Sequence, residues 1–238
     1  MSETEGSGKL TLVATPIGNL ADLSPRAVES LGAADFWIVE DSRISGKLAS
    51  HLGLKKPMRI LNDHTSRNQV ERYLADLVAG GHAALLTDGG APAISDPGSI
   101  LTDLCHEAGV QLEAIPGPSA VVTALMLSGF FAQRFAFLGF LGRKPGPMKS
   151  EMKVFADSPL TLVLFESPHR LDVLLKAAFE ALGPRRYVIC RELTKMHEQA
   201  YRSTLPEIPT EVQVPRKGEL TLVIEGRRKK DVDTFDED

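Results

Sequence analysis

The sequence predicts an α/β protein made of two α/β domains in series. Three observations lead there. Short apolar runs alternate with segments whose apolar residues recur at three- and four-residue spacing. Two of the apolar runs open into loops rich in glycine and proline, each followed by a helical pattern. A stretch dense in Gly, Pro and basic residues, 139–147, separates one such series from a second. A chain of 238 residues is long enough for one large or two small domains. The expected borders are an N-terminal domain over 10–138 and a C-terminal domain over 139–226, with a flexible start, 1–9, and a disordered charged tail, 227–238.

Taken in order, Leu10 to Ala14 reads as a buried strand, and Thr15-Pro16-Ile17-Gly18-Asn19-Leu20 as its exit loop. Ser24-Pro25 opens a helix as N-cap and first helical residue. Phe36 to Val39 is the second strand and runs into Glu40-Asp41-Ser42-Arg43. Charges at the carboxyl end of a parallel strand are well placed for function; a helix N-cap by Asp41 or Ser42 is the alternative. A helix over 44–52 stops at Gly53. Met58 to Leu61 is a short strand that leads to Asn62-Asp63-His64-Thr65. Ser66 and Gln69 form a capping-box pattern before Val70, Tyr73, Leu74, Leu77 and Val78 mark the next helix.

The central stretch is His82 to Gly98. An apolar strand to Thr87 gives way to Asp88-Gly89-Gly90-Ala91-Pro92-Ala93-Ile94-Ser95-Asp96-Pro97-Gly98, and then a helix shows Leu101, Leu104, Cys105 and Ala108 on one side. Glycine lets a backbone approach a ligand closely and proline fixes the chain without a donor. A tight surface turn is the other reading of such a cluster. Gln111 to Ile115 is a strand entering a second loop of the same kind, Pro116-Gly117-Pro118-Ser119-Ala120, which opens a helix to Ser128. Phe135 to Leu138 reads as the last strand of the first domain, and Gly139 to Pro147 as the linker.

Beyond it, strand Leu160 to Phe165 ends at Glu166-Ser167-Pro168-His169-Arg170. The following helix carries Leu171, Leu174, Leu175, Ala178 and Leu182 on one face, with Gly183 after it. Tyr187 to Cys190 is a strand running into Arg191-Glu192-Leu193-Thr194-Lys195; an extended segment, Met196 to Thr204, and a closing strand, Leu220 to Glu225, follow.

Composition removes several classes. Hydrophobic content of 43% and charged content of 24% suit a soluble globular protein. No apolar run is long enough to span a bilayer, and residues 1–9 lack the features of a secretory signal, so a cytoplasmic location is expected. Cys105 and Cys190 lie inside apolar patterns and read as free buried thiols. No Cys/His group has metal-ligand spacing, so no metal is expected. The net charge of −4 speaks against a generic nucleic-acid binder. It is unevenly spread, at −5 over residues 1–138 and +2 over 139–226, so a polyanion would favour the second half.

Six strings now carry a resemblance: Ala14-Thr-Pro-Ile-Gly-Asn-Leu20, Ser95-Asp-Pro-Gly98, Pro116-Gly-Pro-Ser-Ala120, Glu166-Ser-Pro-His-Arg170, Arg191-Glu-Leu-Thr-Lys195 and Lys217-Gly-Glu219. In this order they resemble the tetrapyrrole methylase superfamily, and within it the small-subunit ribosomal RNA (cytidine-2′-O)-methyltransferase I branch, from about Leu10 to Gly226. The branch usually has Thr where Ser42 stands, Asp-Ala-Gly-Thr-Pro where Asp88 to Pro92 stand, and His-Glu-His around Asp63-His64-Thr65. The resemblance implies two α/β domains of tetrapyrrole-methylase type with S-adenosyl-L-methionine in the cleft between them, and a homodimer.

It further implies that Asp88, Gly90, Ala91, Ile94, Ser119, Ala120 and Phe165 bind this cofactor. A ribose 2′-OH is barely ionised near neutral pH, so a base or strong acceptor would assist it. Asp41, Glu166, His169 and Glu192, all at expected strand ends, are the catalytic candidates. Asn19, Arg43, Arg170, Arg191 and Lys195 are the candidates for holding the RNA, the cations through phosphate. Salt bridges within the fold are the competing role for each charged residue. Two other functions stay open at this point: methylation of a corrin or porphyrin precursor, and S-adenosylmethionine binding without turnover. The leading expectation is a methyltransferase whose partner is ribosomal RNA or the small ribosomal subunit.

Overall fold

Strand β2 (Phe36–Val39) is buried along its whole length, as a strand covered on both faces must be. Phe36 and Ile38 enter one core while Trp37 and Val39 enter another, following the two-residue period of an extended chain. The Trp37 indole N–H satisfies itself on the Leu31 carbonyl at 3.0 Å. In the computed structural model, which describes residues 8–228, β2 belongs to a five-stranded sheet. Its other members are β1 (Lys9–Val13), β3 (Met58–Ile60), β4 (His82–Leu86) and β5 (Gln111–Ile115). The order is β3-β2-β4-β1-β5 and every neighbouring pair is parallel.

Helices α1 (Pro25–Ala33) and α2 (Ser42–His51) bury Ala27, Leu31, Leu48 and Ala49 against one face of that sheet. Helices α3 (Arg67–Val78) and α4 (Gly98–Glu107) bury Val70, Tyr73, Leu77, Leu101 and Cys105 against the other. The split follows from handedness. The chain steps outward from β1 through β2 to β3, then back through β4 to β5, and right-handed crossovers in opposite directions place their helices on opposite faces. The direction reverses between β4 and each of its neighbours, β2 and β1, and at such a point a crevice opens beyond the carboxyl ends of the strands.

The described residues divide into two compact units after Ser119. The second unit is built on a mixed sheet of β6 (Phe135–Phe140), β7 (Thr161–Glu166), β8 (Arg186–Arg191), β9 (Gln199–Thr204) and β10 (Leu220–Ile224), in the order β6-β7-β10-β8-β9. Only β6 and β7 run parallel. Leu162, Leu164, Ile189 and Leu222 pack on α6 (Pro145–Lys153) and α7 (Leu171–Leu182). Helix α5 (Ala120–Ser128) packs against strands β7, β8 and β10 and buries Val121, Ala124 and Leu125. Its remaining surface is also apolar: Val122, Met126 and Leu127 are exposed.

Several expectations are corrected. Phe135–Phe140 does not close the first domain; it pairs with β7 and forms an edge of the second sheet. The division between the units therefore precedes α5 instead of falling at residue 138. The stretch 139–147 is no free linker, because its ends belong to β6 and α6. Ser66 makes no side-chain cap; Gln69 instead donates to the Tyr73 hydroxyl at 2.7 Å. Lys9, placed in the flexible start, is the first residue of β1. The rest of that start, 1–7, and the tail from 229 onward lie outside the described residues. Cys105 and Cys190 are free and buried, and burial pushes their thiols up to about 11 and about 12. Among the described residues no helix is long and apolar enough to cross a membrane.

Leu174 is fully buried in the core between α7 and the second sheet. Leu174→Ala is expected to cost about 2–5 kcal/mol, read as a lower urea midpoint for the second unit; a loss below about 1 kcal/mol would show that α7 does not anchor this core.

Candidate functional site

The reversal between β1 and β4 fixes where the first unit can hold a ligand. Thr15, two residues past β1, and Gly90, four past β4, form an antiparallel bridge. Each donates its N–H to the other's carbonyl, at 2.9 and 3.0 Å. The Thr15 hydroxyl also donates to the Thr87 carbonyl at 3.3 Å. Gly90 sits at φ +96°, where an L side chain is strained. A Cβ there would lie 3.4 Å from Ile17 Cγ2 and 3.9 Å from the Pro118 carbonyl oxygen. The exit loops of β1, β4 and β5 therefore meet at Gly90, and Ser119 follows one residue beyond that carbonyl. At Gly89 a Cβ would come within 3.2 Å of the Pro16 carbonyl oxygen, a tight contact.

The exit of β2 is tied to the same place. Glu40 accepts from the Thr87 hydroxyl at 2.8 Å and from the Asp88 N–H at 3.4 Å. Asp88 in turn accepts from the Asp41 N–H at 3.2 Å through Oδ1. Burial, with the Glu40 charge adding to it, pushes the Asp88 carboxyl above its ordinary range. Oδ2 of Asp88 has no hydrogen-bond partner among the described residues. A half-buried carboxylate with one open oxygen beside a side-chain-free backbone suits a polar ligand carrying N–H, O–H or positive charge. Past Gly90, Ala91 is half-buried and Ile94 is 54% exposed. Ala93 and Ser95 take left-handed backbone at φ 66° and 58°, conformations that concentrate at ligand-binding turns. Thr15 and Thr87 carry no signal of their own in the sequence, whereas Glu40 stands among the charges that end β2 without a site role assigned to it there. The one available signal was that Glu40 directly follows an apolar strand and precedes Asp41.

Other candidates are held by the fold. Asp41 caps α2: it accepts the Arg43 N–H at 2.8 Å and is ion-paired with the Arg43 side chain. The Arg43 guanidinium holds the Asp41 carboxyl well down, to about 2. Asn19 accepts from the Ala21 N–H at 3.1 Å and caps the single helical turn 20–22. Asn62 and Thr65 close a turn on themselves, leaving His64 exposed.

In the second unit, Glu166 is buried at the end of β7, accepts from the Ser167 N–H at 2.7 Å and lies 3.3 Å from Arg170. Burial raises its carboxyl. Arg170 also donates to the Leu141 and Gly142 carbonyls at 3.2 and 2.9 Å. His169 is exposed beside it. Arg191 donates to the Lys217 and His197 carbonyls. Glu192 accepts from the Glu219 N–H at 2.9 Å and pairs with Lys195 at 3.0 Å, and Lys195 also reaches Glu219. Burial favours a higher pKa for Glu192, but the Glu219 amide and Lys195 outweigh it and hold the carboxyl low. Glu192 and Thr194 both adopt left-handed backbone, and a Cβ on Gly218 would collide with the Glu192 carboxylate. The strings 191–195 and 217–219 thus form one lock. Ala120 is the first residue of α5, and Phe165 lies in β7 with its ring 4.9 Å from Phe137 and 5.5 Å from Phe140. No group of three or more His, Cys, Asp or Glu among the described residues could hold a metal ion.

A doubly wound parallel sheet with bare loops at its reversal point, followed by a mixed five-stranded sheet, defines a recognisable class. Residues 9–209 match the family described as Tetrapyrrole (Corrin/Porphyrin) Methylases, and the chain belongs to it. A solved uroporphyrin-III C-methyltransferase from Thermus thermophilus, complexed with S-adenosylhomocysteine, shares the fold at a TM-score of 0.63 with 18% identity, over 91% of this chain and 97% of that one. Sequence relatives are closer. The protein named ribosomal RNA small subunit methyltransferase I from Synechocystis sp. is 42% identical, covering 97% of this chain and 84% of its own. The protein of that name from Escherichia coli O157:H7 is 39% identical, covering 98% and 82%.

Asp41's depressed pKa gives a pH test. Its charge contributes stability above the ordinary value of 3.8, and the contribution is lost as pH falls towards about 2. At pH 3.5 the Asp41 carboxyl, followed by carbon-13 NMR, is expected to remain ionised in the wild type and to be protonated to a clearly greater extent in Arg43→Gln, where only the backbone N–H of residue 43 still holds it down. Equal protonation in both would refute the ion pair's control.

Proposed function

We propose that this chain is an S-adenosylmethionine-dependent methyltransferase acting on the ribose 2′-OH of a cytidine in small-subunit (16S) ribosomal RNA. The observation that carries the reading is the near-full-length identity to proteins named ribosomal RNA small subunit methyltransferase I. The tetrapyrrole enzyme is alike in fold alone.

When bound, the cofactor supplies an electrophilic methyl group on a sulfonium. The chain's own residues must bind, orient and assist. In the proposed arrangement the Gly90 and Ala91 backbone and Ser119 accept the cofactor's polar edges, the open oxygen of Asp88 takes an N–H or O–H, and Ile94 offers apolar cover. Ala120 and Phe165 keep the same proposed role in the second unit. Glu40 holds the Asp88 turn in shape.

For the hydroxyl's proton, Asp41 and Glu192 are poor choices, because carboxylates held low are weak bases. Glu166, raised by burial, is the better proton acceptor among these carboxylates, and His169 is the candidate left exposed to a substrate. Arg43 retains a largely exposed side chain and suits a phosphate. Arg170, Arg191 and Lys195 spend donors inside the fold, and act mainly by shaping the loops that carry Glu166 and Glu192; Asn19 does the same for the β1 exit loop. A cytoplasmic location goes with a ribosomal RNA substrate. Helix α5, with Val122 and Leu127 exposed and Met126 76% exposed, supports a homodimer.

Labelled S-adenosylmethionine is expected to methylate small-subunit RNA or particles lacking the mark, at a cytidine 2′-O; no transfer to either sinks the reading. Glu40→Ala is expected to weaken S-adenosylhomocysteine binding about tenfold by freeing the Asp88 N–H and the Thr87 hydroxyl, with Glu40→Gln recovering most of it. Unchanged calorimetric affinity in Glu40→Ala would remove Glu40 from the site. Sedimentation is expected to show a dimer that Met126→Glu dissociates; a monomeric wild type ends that part of the proposal.

A further inference from the structure

Strand β6 ends in an irregularity that reverses the direction of one aromatic side chain. Ala136 and Leu138 pack on the core beneath α6 and α7. Strict alternation would send Phe140 after them. The pairing with β7 instead runs Phe137 to Val163 and then Phe140 to Phe165, three residues against two. Gly139, at φ +60°, absorbs the extra residue. The bulge turns Phe140 onto the side of Phe137 and Phe165, and bulges commonly serve to re-aim a side chain.

The result is a braced ring in solvent. Phe140 is 63% exposed, yet its ring centroid lies 5.5 Å from Phe165, which meets Phe137 edge-on at 4.9 Å. The backbone just beyond it is pinned by Arg170, through the Leu141 and Gly142 carbonyls. Leu141 itself is buried. Directly after come Arg143 and Lys144, both exposed and neither in an ion pair among the described residues. One carboxylate, Glu151, stands near the loop, so the two cations outnumber it. A rigid exposed ring next to unpaired cations has the chemistry of a single-stranded nucleic-acid contact: the ring stacks on a base and the cations meet the adjoining phosphates.

We propose that the end of β6 is an RNA-binding element, with Phe140 stacking on an unpaired base of the substrate and Arg143 and Lys144 holding the flanking phosphates. The inference rests on the ribosomal RNA reading and adds a substrate contact to it.

The test uses the full chain, a fluorescein-labelled RNA hairpin with a cytidine-containing single-stranded loop, and methyl-transfer kinetics on small-subunit particles. Phe140→Ala is expected to weaken hairpin binding and raise KM for the particle about tenfold, with kcat changed much less and Phe140→Trp restoring the wild-type values. The double variant R143Q/K144Q, which touches no core, is expected to flatten the plot of log affinity against log salt by about 1.4. A wild type that neither binds nor methylates RNA overturns the parent reading. A wild type that does both, beside Phe140→Ala and R143Q/K144Q that keep its RNA affinity, KM and salt slope, overturns this one alone. It is equally overturned if Phe140→Ala changes only S-adenosylhomocysteine affinity, which would assign the ring to the cofactor, or only the sedimentation of the protein, which would assign it to a second copy.

Discussion

The first unit depends on the paired hydrogen bonds between Thr15 and Gly90. They join the exits of β1 and β4, the adjacent strands from which the chain departs to opposite faces of the sheet. Beyond the end of the strand pairing they hold together two loops that leave in opposite directions, with the Thr15 hydroxyl adding a bond to the Thr87 carbonyl. With them, the β1 exit, the Asp88 turn and the Pro118 carbonyl form one surface of main chain. Glycine suits Gly90 because of its positive φ, where an L side chain is strained. Glu40 extends the same device to β2. The chemistry proposed for the chain needs a stationary backbone more than it needs many side chains, since the reactive group belongs to the cofactor.

Much of this was legible in the sequence. Periodicity located nearly every strand and helix, and Ser24-Pro25 and Gly183 marked helix ends as they should. The assignment of Phe135–Phe140 to the wrong unit has a physical cause. Alternation and apolarity say that a segment is a strand, but not which sheet it joins, and its partner β7 lies more than twenty residues downstream. The capping box at Ser66 does not form: Ser66 makes no side-chain cap and Gln69 turns its amide N–H to the Tyr73 hydroxyl. The irregularity before Phe140 was invisible for a related reason: a bulge is a property of two paired strands, and one strand's sequence holds only the glycine that permits it.

The charged strings stand out in the sequence, and in the fold several of their charges meet one another. Glu192, Lys195 and Glu219 satisfy one another, while Arg191 closes on two carbonyls. Such a cluster keeps left-handed Glu192 and Thr194 in place, and a sequence motif looks the same whether its charges face a substrate or each other. Burial separates the cases. Glu166 is raised by it, whereas partners override it at Glu192.

The two thiols have a practical consequence. With pKa values pushed up to about 11 and about 12 and no exposure, Cys105 and Cys190 carry almost no thiolate at neutral pH and resist alkylating reagents. A cysteine engineered onto the surface would therefore be the sole fast-reacting position, so a dye or spin label could be attached there without first stripping out the native sulfhydryls.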